Sequence, residues 1–150
     1  MRVWRLAREV YPVLDGEGAR RFGGRWNSRG VPVVYTAGSR ALAMLEYLAG
    51  VEAADVPLDL SLAEDEIPAG AEIEVVTADA LPGDWHRPIH ERCREIGDAW
   101  AASRRTLVLA VPSALVAEEL NYLINPLHPL ARRVRVARAR RFAFDPRLLG

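Results

Sequence analysis

The chain of 150 residues is half hydrophobic, with 20 basic and 20 acidic side chains and a single cysteine. That apolar share argues against disorder and for one compact domain over residues 1–150, while the lone Cys93 excludes an internal disulfide and suits a reducing cytoplasm. Every basic residue is an arginine, which removes lysine Schiff-base chemistry and the lysine of a phosphate-binding P-loop.

No apolar run is long enough to span a bilayer, and the first residues lack the pattern of a secretory signal, so a cytoplasmic location without membrane binding is expected. Charge is spread unevenly. Residues 52–79 are acid-rich, whereas Arg132, Arg133, Arg135, Arg138, Arg140 and Arg141 gather near the C-terminus, either as a solvated strand face or as a contact for phosphates or an acidic partner.

In chain order, Val3–Ala7 reads as a short strand, residues 15–30 with their glycines as a long loop, and Val31–Thr36 as a β-branched strand that Pro32 places at an edge or entry. Ser39 is an N-cap for a helix ending at Gly50. Leu58–Leu62 and Ala71–Val76 alternate as strands, and residues 89–102 look helical with Pro88 in the first turn. Thr106–Val111 is a continuous apolar strand expected at the centre of the sheet, and residues 117–124 suit a short helix closed by Asn125-Pro126. Val134–Phe144 alternates apolar residues with arginine as a last strand. The sum is about six strands and two or three helices of mixed α and β class, without the regular alternation of a doubly wound sheet.

Several constellations carry chemistry or exclude it. The stretch "GEGARRFGG" has the wrong glycine spacing for a dinucleotide fingerprint and enters no strong helix; it either presents Arg20, Arg21 or Arg25 to an anion or simply turns. His86, His90 and Cys93 have metal-like spacing, but Pro88 interrupts it and no second ligand cluster exists, so no metal is expected. No Gly-x-Ser-x-Gly elbow is present. Glu46 is the most informative residue: a carboxylate within the apolar helix "ALAMLEYLA" is costly to bury without a positive charge or hydrogen-bond donors, and otherwise sits at the exposed edge of a packed helix.

Four ordered motifs, "FGGRWNSRGVPVVYTAGSRALAMLE", "VPS", "NYLINPLHP" and "FAFDPRLL", resemble the RES domain family, named for an Arg, a Glu and a Ser. The matching positions are Arg25, Glu46 and Ser113, with Tyr35 at a further active-site position; Asn27 and Asn125 lie in the same motifs as candidate substrate-binding residues. Leu130 stands where an acidic residue would be expected. The resemblance implies an ADP-ribosyltransferase-like α/β fold around a central mixed sheet. It also implies a bacterial toxin, partnered by an Xre-type helix-turn-helix antitoxin, that degrades NAD⁺ by hydrolysis or phosphorolysis of the nicotinamide–ribose bond. Some members are described as ADP-ribosylating a protein instead. NAD⁺ is then the substrate, and no cofactor is needed.

The chemistry agrees. Breaking an N-glycosidic bond builds an oxocarbenium-like charge that one carboxylate can stabilise, the role expected of Glu46. Arg25 would bind the pyrophosphate or adjacent ribose, Tyr35 would stack on nicotinamide, and Ser113 would orient Glu46. Tyr35 reads equally as a core aromatic, Ser113 as a helix cap, and Asn121 and Asn125 as cleft residues or helix terminators. A non-enzymatic module binding nucleic acid through the arginine-rich strand is the alternative from another class; the net charge of zero opposes it. A homodimer is permitted but not specified.

Overall fold

The computed structural model describes residues 1–8 and 13–150. Its strands are β1 (Arg2–Ala7), β2 (Val34–Ala37), β3 (Ser61–Glu66), β4 (Ile73–Val75), β5 (Val108–Pro112), β6 (Leu120–Ile124) and β7 (Arg135–Arg141). They form one mixed sheet in the order β4-β5-β6-β2-β1-β3-β7, in which only β4 and β5 run parallel. β1 pairs with β3 along its whole length, and β2 pairs likewise with β6. Between β1 and β2, however, a single register pair exists, Trp4 opposite Ala37. Beyond that rung the sheet parts.

The α-helices are α1 (Glu17–Phe22), α2 (Arg40–Ala49) and α3 (Glu91–Ser103). The Ser39 hydroxyl accepts the Leu42 N–H at 3.1 Å, so α2 starts and stops where the capping residues direct. Leu42 and Ala43 seat it on Ala37 beside Trp4, bridging the two strands that part. α3 begins later than Pro88: His90 is its cap, Nδ1 accepting the Arg92 N–H at 3.2 Å. Cys93, Gly97, Trp100 and Ala101, at helical spacing, form its buried face. Trp100 is fully buried and donates Nε1–H to Thr106 Oγ1 at 2.9 Å; truncating such a side chain to Ala costs on the order of 3–5 kcal/mol. Alternation along the strands sends Leu109, Val111 and Leu123 toward α3 and Val108, Ile124, Val34 and Val3 into a second cluster on the opposite face. No helix among the described residues is long and apolar enough to cross a membrane.

The fold class is the mixed one expected. Besides the later start of α3, β2 begins only at Val34, and further local expectations change. Residues 117–124 are not helical: Leu120–Ile124 is β6, because both its edges are paired, with β2 and with β5. Such non-local pairing overrides the helix preference of the preceding Ala-Glu-Glu. β5 is second from the sheet edge rather than central, and is buried because both faces are covered. Residues 15–30 contain the short helix α1, entered through Gly16 at φ 69°. β3 starts only at Ser61, and Leu58 is 99% exposed.

Candidate active site

Where β1 and β2 part, the sheet leaves a cleft of about 260 Å³. Trp4, Arg5 and Leu6 of β1 form one wall, and Tyr35, Thr36 and Ala37 of β2 the other. α2 closes it from one side with Ala43, Glu46 and Tyr47, positions i, i+3 and i+4 of one helix face. Asn121 of β6 completes the lining.

The Glu46 carboxylate is held by one oxygen. Ser113 Oγ and Asn121 Nδ2 both donate to Oε1, each at 2.7 Å. Oε2 makes no hydrogen bond among the described residues. These two donors fix the carboxylate through that one oxygen. Ser113, fully buried after β5, caps no helix, because residues 114–119 form only turns before β6; its Oγ accepts the N–H groups of Leu115 at 3.1 Å and Val116 at 3.2 Å, turning the chain. Asn121 stands opposite Ala37 on one neighbour and Val111 on the other, so the sheet itself aims it at α2.

Arg5 and Asp65 form a buried ion pair across β1 and β3, Nε to Oδ2 at 2.6 Å, with side chains 9% and 0% exposed. Burial pushes the Asp65 carboxyl above its ordinary value, and the Arg5 guanidinium opposes that shift. Trp4 donates Nε1–H to Glu64 at 3.2 Å and lies under the guanidinium of Arg40, 5.0 Å from its ring centroid. Tyr47, at the other wall, stacks on Phe144 with ring centroids 6.1 Å apart.

The structure brings Glu46, Ser113 and Tyr35 to one place, and sets Arg25, Asn27 and Asn125 to other work. Arg25 is not among the lining residues; its Nη1 donates to the carbonyls of Trp85 at 2.8 Å and Arg87 at 2.7 Å, pinning that turn. Asn27 is fully buried, with Nδ2 donating to the carbonyls of Ala19 and Val31 and Oδ1 accepting from Tyr35 at 2.6 Å. The Tyr35 hydroxyl also accepts the Trp26 N–H at 3.1 Å, so it locks the Gly-Gly-Arg-Trp-Asn loop onto β2. Burial pushes its pKa well above the usual phenol range. Asn125 Nδ2 donates to Ala101 at 2.9 Å and its Oδ1 caps Leu127, which fixes the α3–β6 junction away from the cleft. His90 Nε2 lies 2.9 Å from Asp84, and that hydrogen bond holds the Asp84 carboxyl below its ordinary value. Cys93 is fully buried, and burial pushes its thiol upward. No group of three or more His, Cys, Asp or Glu side chains suited to a metal ion occurs among the described residues.

Sequence reasoning missed Arg5, Trp4 and Tyr47, and left Asn121 undecided. The alternation of Val3-Trp4-Arg5-Leu6 held a signal: Arg5 shares a face with buried Val3, and an arginine there demands an acid on the adjoining strand.

The RES domain profile matches residues 2–145 of this chain. The Prs ADP-ribosylating toxin of Sphingobium sp. (strain YBL2) is 41% identical over 153 residues, 97% of this chain and 95% of its own. Toxin Res of Photorhabdus laumondii subsp. laumondii is 38% identical over 130 residues, 85% of this chain and 83% of its own. A chain of the M. tuberculosis MbcT–MbcA toxin–antitoxin complex superposes with a TM-score of 0.78 at 22% identity, covering 99% of this chain and 86% of that one, and so shares its fold.

Proposed function

The chain belongs to the RES domain family, and from that premise we propose that it is the toxin of a toxin–antitoxin system and cleaves the nicotinamide–ribose bond of NAD⁺. The observation that carries this reading is Glu46, tethered through Oε1 alone and set over a cleft of about 260 Å³ that suits a nucleoside. The free oxygen is placed to hold ribose hydroxyls and to stabilise the positive charge that grows as the bond lengthens. Nicotinamide leaves as a neutral molecule, so no second carboxylate has to protonate it. The remainder of NAD⁺ extends through the open side of the cleft. Arg25 serves by ordering the turn at residues 85–87 and the loop that carries Tyr35's partners.

The test follows nicotinamide release from NAD⁺ with and without phosphate, for the wild type and Glu46→Gln. A loss of ~10²–10³ in rate on substitution is expected. Release that ignores Glu46, or none from folded wild type, would overturn NAD⁺ degradation as the activity. A dependence on phosphate would identify phosphorolysis.

A second reading is transfer of ADP-ribose to a protein, favoured by the relative that is 41% identical, an ADP-ribosylating toxin. Both readings share the cleavage step. NAD⁺ labelled on its adenine half separates them, because only transfer leaves label on protein. An antitoxin partner is proposed from the same relatives and from the MbcT–MbcA complex; its Xre type, a homodimer and a cytoplasmic location stand as proposals from the family resemblance.

A further inference from the structure

Resting on the reading of Glu46 as the reactive carboxylate, we propose that Asn121 is a positioning residue for that group. Its Nδ2 donates to Glu46 Oε1 at 2.7 Å, and this is its side chain's one hydrogen bond among the described residues. Its Oδ1 is buried and has no partner there. A half-buried amide with its carbonyl unsatisfied costs stability. Structure alone gives no return for that cost, since an apolar side chain would serve the strand better at this position, between Ala37 and Val111.

Ser113 differs. Its hydroxyl bonds Glu46 and also the Leu115 and Val116 amides, so it is needed to build the turn after β5. Asn121 has the carboxylate as its single partner. Two donors converging on Oε1 leave the carboxylate no freedom to swing that oxygen into the cleft, so Oε2 is the atom presented to substrate. Removing the amide frees rotation about the terminal torsion of Glu46, which is broad when nothing restrains it. The consequence falls on the reaction step more than on substrate binding, because Asn121 meets the carboxylate and not the departing group.

The experiment compares Asn121→Leu and Asn121→Asp with wild type in nicotinamide release near neutral pH, with melting curves to confirm folding. Asn121→Leu should lower kcat by about 10-fold or more with KM changed less than about 2-fold. Asn121→Asp, which replaces the donor with a like charge against Glu46, should lower kcat at least as far. Unchanged kcat, or a loss carried by KM alone, overturns the proposal. A second measurement does not depend on turnover: the side-chain NH₂ resonances of Asn121 should shift in Glu46→Ala. Wild type that releases no nicotinamide would defeat the functional reading by itself, and the amide resonances would then decide the contact: shifted, they uphold the positioning; unshifted, they overturn it.

Discussion

Replacing Arg5 by methionine leaves Asp65 as a carboxylate with 0% exposed side chain and no cation beside it. Breaking a buried pair by removing one partner costs about 3–5 kcal/mol, far more than the net worth of the pair, because the remaining charge stays desolvated. At roughly 2–4 °C per kcal/mol for a domain of this size, the melting temperature at neutral pH should fall by roughly 6–20 °C. The sign of the pH dependence follows from burial. Asp65 already titrates above its ordinary value of 3.8 in the folded chain, and removing Arg5 raises it further. A carboxyl whose folded value is raised stabilises most below its unfolded value and loses that stabilisation as pH rises through the folded one. The deficit of Arg5→Met relative to wild type should therefore be small near pH 4 and grow toward neutrality. Arg5→Met combined with Asp65→Leu should recover most of the loss, since an apolar pair of similar volume replaces two charges. Melting curves of the three chains at several pH values provide the assay. A deficit independent of pH, or a double variant no better than the single, would refute the argument that an uncompensated charge is responsible.

Gly97 faces the carbonyl oxygen of Trp26, where an added Cβ would sit 1.7 Å away. Gly97→Ala should cost at least the ~1–3 kcal/mol typical of overpacking and loosen the Gly-Gly-Arg-Trp-Asn loop, read as a lower denaturant midpoint and faster proteolysis near residue 26. Tyr35→Phe strands the Trp26 N–H and Asn27 Oδ1, with an expected loss of about 1–3 kcal/mol in chemical denaturation. Because folding raises the Tyr35 hydroxyl above its ordinary value of 10.0, the stability it carries is complete below that pH and declines above it; the wild type should lose stability above pH 10 more steeply than Tyr35→Phe.

Much of this arrangement was readable from the chain. Ser39 and Gly50 marked α2, the apolar run at residues 106–111 marked β5, and the motifs carried Glu46 and Ser113, which meet beside the cleft. These signals are local, or belong to motifs whose order along the chain carries information. What escaped depends on pairing across the sheet. Asn121 stayed open between a cleft residue and a helix terminator because nothing near it in sequence shows that β2 and β5 flank it. Arg5 looked like one polar residue of a short strand because Asp65 lies 60 residues away. Arg25 was assigned to substrate from its motif, yet the carbonyls it binds come from Trp85 and Arg87, again 60 or more residues distant. A sequence pattern shows that such a side chain is needed and leaves its partner unstated.

The lone rung between Trp4 and Ala37 has a mechanical consequence. One half of the sheet, β4-β5-β6-β2, and the other, β1-β3-β7, are each laced along their strands, but they meet as two plates joined at one stitch and braced by α2. Opening along that seam breaks few bonds, so it belongs to the low end of the local-unfolding spectrum. A molecule seated in the gap touches both plates at once and acts as a second stitch. Occupancy and stiffness are thereby tied: whatever fills the cleft also tightens the sheet, and whatever pries the plates apart empties it.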